Sequence, residues 1–166
     1  MSLSTRIQFN VVADLAKTVG LAEVVAHIQQ IWTQALATGT GAQQADKIYS
    51  LKEQTIADAG TLSIDLSAAL EDALGDAFTP ARVKAILIYS EPTNTTNLTI
   101  LGNAAAVPFL NTVATTLGLK PGGMFALMDP GATGYVVTAG TGDLVQIVNA
   151  AGAAAKVSVV IIGASV

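Results

Sequence analysis

Gly140 and Gly142, in "TAGTGDLVQIV", are the residues whose spacing comes closest to a chemical site, because paired glycines can free backbone N–H groups to hold a phosphate. Such a cradle needs glycines that open a helix, so that donors and helix dipole converge on the anion. The residues after them alternate instead, with Leu144, Gln146 and Val148 opposite Val145 and Ile147, and no Lys-Ser or Lys-Thr pair follows. Gly140 and Gly142 therefore predict a turn between strands. The earlier "ATGTGAQQADKIYS" fails likewise, with no lysine between its glycines and Lys47. His27 is the only histidine, and no Gly-x-Ser-x-Gly elbow accompanies it, so it reads as a surface or packed side chain rather than a catalyst.

Carboxylates offer two further groupings, Glu71 with Asp72 and Asp76, and Asp58 with Asp65. Glycoside hydrolysis would need two of them held across a cleft, usually beside aromatic platforms, and aromatic residues are only 5% of the chain. Calcium loops of the Asp-x-Asp-x-Asp-Gly kind are missing. A solvated acidic loop is the expectation. Trp32 and the four phenylalanines, Phe9, Phe78, Phe109 and Phe125, are expected in the core, with one of them free to anchor an interface. Asn94 and Asn97 begin glycosylation-type tripeptides that read as turn residues. The sequence thus assigns no catalytic residue, no cofactor and no metal ligand, and is read as non-enzymatic.

The elements that carry these residues follow from composition and periodicity. With 166 residues the chain suits one domain with a short arm, and the absence of cysteine removes thiol nucleophiles, zinc-thiolate sites and redox switches. Charged residues are 12% and hydrophobic ones 51%, with a mean hydropathy of +0.55. So little polar surface implies small core side chains, or an exterior hidden against copies or a partner. The net charge of -4 and the scattered Arg and Lys positions argue against a nucleic acid partner. No secretion signal or membrane span is expected, because the apolar tail "AAGAAAKVSVVIIGASV" is interrupted by Lys156 and glycines.

"TRIQFNVVADL" alternates and predicts a strand, within an N-terminal arm of residues 1–20. "LAEVVAHIQQIWTQALATGTG" fits either a helical stripe or a half-buried strand, and its short distance to the glycines favours a strand over residues 27–37. Leu62, Ile64 and Leu66 lie two apart, "AALEDALGDAFTPAR" suggests one short helical segment, and "VKAILIYS" reads as a central strand. From "LTILGNA" to "KVSVVIIGA" strands recur about every ten residues between turns such as "KPGG", "PGATG" and "GTGD". "AVPFLNTVATTLGL" reads as a longer connection. The expectation is an all-β, antiparallel sandwich of jelly-roll type over residues 21–166.

"GTGAQQADKIYS", "VKAILI", "PGGMFALMDPGATGYVVTAGTGDLVQIVNAA" and the terminal "VVIIGAS" together resemble small capsid decoration, or cement, proteins of tailed bacteriophages, over roughly residues 38–166. The resemblance implies a β-sandwich that clusters, often as a trimer, where subunits of the major capsid protein meet on the virion surface after assembly in the host cytoplasm. It implies no enzymatic activity, nucleic acid contact or membrane contact. A tail, fibre or baseplate component and a carbohydrate-binding sandwich are the competing readings. On this reading residues 1–12 reach across a neighbouring subunit, so deleting them should abolish shell binding in a co-sedimentation assay and leave the isolated fold intact.

Overall fold

The computed structural model describes residues 2–110 and 115–166, and no helix occurs among them. β1 (Thr5–Val19) and β2 (Ala22–Thr38) form one antiparallel hairpin paired along its whole length, from Thr5 opposite Leu36 to Val19 opposite Ala22. Gly20 and Leu21 make its two-residue turn, with Gly20 at φ 65°. A glycine at the first central position is what a type II′ hairpin turn requires. β3 (Gln44–Ala45) then pairs in parallel with the end of β2.

The remaining strands are β4 (Lys47–Ile56), β5 (Thr61–Asp65), β6 (Leu70–Glu71), β7 (Ala77–Phe78), β8 (Arg82–Ser90), β9 (Leu98–Leu101) and β10 (Thr116–Leu119). After them come β11 (Met124–Met128), β12 (Tyr135–Val136), β13 (Leu144–Asn149) and β14 (Ala155–Ala164). Their pairing is nested: β4 joins β14, β5 joins β13, β8 joins β11 and β9 joins β10, all antiparallel. Rolling up that doubled ribbon brings β8 beside β14 and β9 beside β13. Two four-stranded sheets result, β4-β14-β8-β11 and β5-β13-β9-β10, which is the jelly-roll arrangement; β12 adds to β8.

Alternation decides which side chains meet between the sheets. Ile86, Ile88, Val157, Val159 and Ile161 from one sheet share a core with Ile64, Leu98, Ile100, Val145 and Ile147 from the other, none more than 2% exposed. β8 departs from strict alternation because its outer face is also covered. There Ala85 joins Ile162, Ala45, Ile7 and Leu36 in a second, smaller core, which roots the hairpin on the outside of the sandwich.

Three expectations change. The arm is not residues 1–20 alone: β2 starts at Ala22, five residues before the strand expected over 27–37, and runs back along β1. Cross-strand pairing with Val11–Val19 overrides the helical spacing of Leu21, Val24, Val25 and Ile28. Removing residues 1–12 would therefore strip Ile7 from the second core as well as shorten the arm. The short helical segment expected in "AALEDALGDAFTPAR" is instead the hairpin β6–β7. Asp72 accepts the N–H groups of Leu74 (2.8 Å) and Asp76 (3.0 Å), a local pairing that competes with helix, and Gly75 takes φ 82°. The turn delivers Phe78, fully buried, to Tyr49 with ring centroids 5.4 Å apart. The long connection expected over "AVPFLNTVATTLGL" contains β10; its residues 111–114 lie outside the described residues.

Asn149 is the polar pin of the sandwich. It is 1% exposed, accepts from the Thr96 hydroxyl (2.6 Å), and donates its amide to the carbonyls of Ala57 (2.9 Å) and Ala153 (2.7 Å). Asn149→Ala leaves the buried Thr96 hydroxyl without its acceptor and the half-buried Ala153 carbonyl without its donor, and should destabilise the body by about 1–3 kcal/mol, read as a lower urea midpoint at unchanged m.

Candidate interaction surface

The residues with apparent chemistry resolve into structural roles. At the "AGTGD" stretch, Thr138 and Gly142 exchange both backbone hydrogen bonds and Gly140 sits at φ 77°. The Gly140 N–H points not outward to an anion but to the Asp143 carboxylate, 2.5 Å away. Asp143, 3% exposed, also lies 2.9 Å from the Ser67 hydroxyl, whose one proton it shares with Asp65. A phosphate approaching that N–H would displace one negative charge and meet it again.

The carboxylates do not converge. Asp58 accepts from the Gly152 N–H (2.7 Å) beyond one end of β5, while Asp65 closes its other end against the Ser67 N–H (2.9 Å) and hydroxyl (2.8 Å). Asp72 is engaged in its own turn, and no group of three or more metal-ligating side chains forms among the described residues. Asn94 is a turn residue as expected, tied to the Lys156 backbone through both ends of its side chain.

Lys84 carried no signal in the sequence. It lies 1% exposed, with its ammonium donating to the carbonyls of Gly131 and Ala132. Burial pulls its pKa below the ordinary lysine value, helped by nearby Arg82 and opposed by Asp129. Its position on β8 fixes the loop before β12, and it faces carbonyls rather than a pocket.

What remains is surface, concentrated on the hairpin. At about 3.4 Å per residue, the fifteen residues of β1 span about 50 Å. Beyond Phe9 every β1 side chain is exposed, as is every β2 side chain from Ala22 to Thr33. Opposed residues share a face and alternate residues a side. One face therefore carries Phe9, Val11, Ala13, Leu15, Lys17 and Val19 of β1 against Trp32, Gln30, Ile28, Ala26, Val24 and Ala22 of β2. Lys17 is its only charge. The other, more polar face holds Arg6, Gln8, Asn10, Asp14, Glu23, His27 and Gln29, interspersed with the exposed Val12, Val25 and Ile31.

Leu15 is 66% exposed, Val24 57% and Trp32 54%, so the sole tryptophan stands outside the core that was expected to hold it. Phe78 is in that core, Phe109 and Phe125 pack against it 6.1 Å apart, and Phe9 packs at the hairpin root. Beside Phe9 and Ile7 lies a groove of about 320 Å³ over Ile48, Leu87 and Val160. On the polar face, His27 Nδ1 and Asp14 Oδ1 meet at 2.5 Å with side chains 78% and 61% exposed, a cross-strand pair in open water. The periodicity of 22–38 hid this surface, because the same residues also fitted a helical stripe.

Comparison with protein-family models, curated proteins and solved structures found no match.

The Ser67 hydroxyl and N–H hold the Asp65 carboxyl below its ordinary range. A depressed carboxyl stabilises the fold above its unfolded pKa, near 3.9, and that contribution is lost as pH falls through the folded value. Ser67→Ala should move Asp65 back toward the ordinary value in a carboxyl NMR titration and shift the acid unfolding midpoint upward.

Proposed function

We propose that this chain is a structural protein of a tailed-bacteriophage particle that decorates and stabilises the capsid, sitting on the major capsid protein at junctions between subunits. The observation that carries this reading is the hairpin: beyond its root the jelly roll extends a two-stranded arm of ten residues a strand, about 34 Å, whose apolar face its own body leaves uncovered. Catalysis and small-molecule capture have no comparable support, since the polar clusters are occupied by backbone turns. The resemblance of residues 38–166 to decoration proteins supplies the particle, and it favours trimers on the capsid surface.

The mechanism needs no bond-breaking. A protein that binds an assembled lattice and not its free subunits stabilises the assembly by mass action, and each copy adds interface. Copies arranged on a lattice act multivalently, so modest contacts accumulate into slow release. Low charge suits such contacts, because few ionised groups must be desolvated on docking.

Mass spectrometry of purified virions should give hundreds of copies per particle, and purified protein added to undecorated shells should raise their rupture temperature. A handful of copies would assign the chain to the tail, and sugar binding on a glycan array without shell binding would assign it to carbohydrate recognition. Replacing residues 10–31 by an Asn-Gly turn keeps Ile7 and Leu36 in the second core. That variant should retain the body's unfolding midpoint and bind shells at least tenfold more weakly.

A further inference from the structure

We infer that the apolar face of the hairpin is covered by the same face of a second copy, the two ribbons lying antiparallel about a two-fold axis that crosses them midway. The inference rests on strand register alone; on a shell, the same face would join neighbouring copies rather than touch the capsid protein.

Six rows of paired residues make up the apolar face, from Trp32 with Phe9, which is half-buried against the second core at the root, to Val19 with Ala22 at the tip. Placing the axis between the row of Ala13 with Ile28 and the row of Leu15 with Ala26 sets β1 over β1 and β2 over β2. Ala13 then faces Leu15, and Ile28 faces Ala26, so each large side chain meets a small one. At the ends of the contact, Phe9 faces Val19 and Trp32 faces Ala22, again large on small. The two remaining rows, Val11 with Gln30 and Lys17 with Val24, fall at the same level. Each long polar side chain there lies over a valine and at an edge of the ribbon, where its stem covers the valine while its head reaches water.

No other simple superposition of the face on itself does this. Parallel ribbons set β1 over β2, which stacks Phe9 on Trp32 of the copy at the root and leaves both bodies at one end of the contact. Size alternation between facing side chains is how two sheets interdigitate at about 10 Å. Twelve residues from each copy is about half of the 20–30 a side in a standard interface, so the pairing is reversible and grows with concentration. A membrane or an acidic surface would find a single positive charge on this face, which leaves the self-complementary rows unexplained.

Sedimentation velocity of the full chain between micromolar and millimolar concentration should show a concentration-dependent larger species. Leu15→Asp, at an exposed position, should weaken it at least tenfold without altering the unfolding midpoint. Val11→Glu, which faces Lys17 across the axis, should keep the association at low salt, and adding Lys17→Glu to it should abolish the association. Because the chain has no cysteine, single variants report register directly. Phe9→Cys mixed with Val19→Cys should form disulfide-linked pairs in excess of either alone. A chain that stays monomeric throughout, association that survives Leu15→Asp, or Val19→Cys linking mainly to itself would each overturn the inference. So would partition of the hairpin into vesicles, or binding to capsid subunits, by a chain that does not self-associate.

Discussion

Apolar surface that one chain cannot bury is the constraint around which this molecule is arranged. The jelly roll encloses its own hydrophobic side chains between two sheets, and its small second core accounts for Ile7 and Leu36. Beyond that root the hairpin has one layer only, with water on both sides. A two-stranded ribbon gains its stability from cross-strand pairs and little else, and in isolation is marginal. Its unusual length makes sense when the missing layer comes from outside the chain.

The body shows the opposite economy. Its polar side chains are committed to holding turns: Asp143 satisfies the Gly140 N–H, Asp72 closes the β6–β7 turn, and Asn149 ties β13 to two loops. Lys84, buried against carbonyls, does the same for the loop before β12. Loops that cross the ends of a sandwich leave backbone groups without ladder partners, and a short polar side chain is the nearest means of pairing them. The result is a rigid block with its polar chemistry turned inward.

Much of this architecture was legible in the residues themselves. Leu144–Val148 alternates because one face lies in the core, "KVSVVIIGA" reads as a strand whose end is covered on both faces, and the "KPGG" and "GTGD" turns lie where glycine geometry puts them. Residues 22–38 were harder to read, since Leu21, Val24, Val25 and Ile28 satisfy a helical stripe, and only the partner strand chooses between the periods. "AALEDALGDAFTPAR" misled for a related reason: its alanines and leucines favour helix locally, while Asp72 and the burial of Phe78 impose a turn. The surface itself could not be seen from either strand alone. An alternating segment looks half-buried whether its apolar side meets a core or open water.

Nested pairing also sets an order on synthesis. The outermost ladder joins β4 to β14, with Lys47 opposite Gly163, and β14 lies between β4 and β8 in the middle of its sheet. Neither β4 nor β8 has that neighbour until residues 155–164 have left the ribosome, although the hairpin, whose contacts are local, can zip long before. The hairpin can therefore begin to pair first, but its root, which needs Ala85 of β8 and Ile162 of β14, is fixed only when the block that carries it closes last.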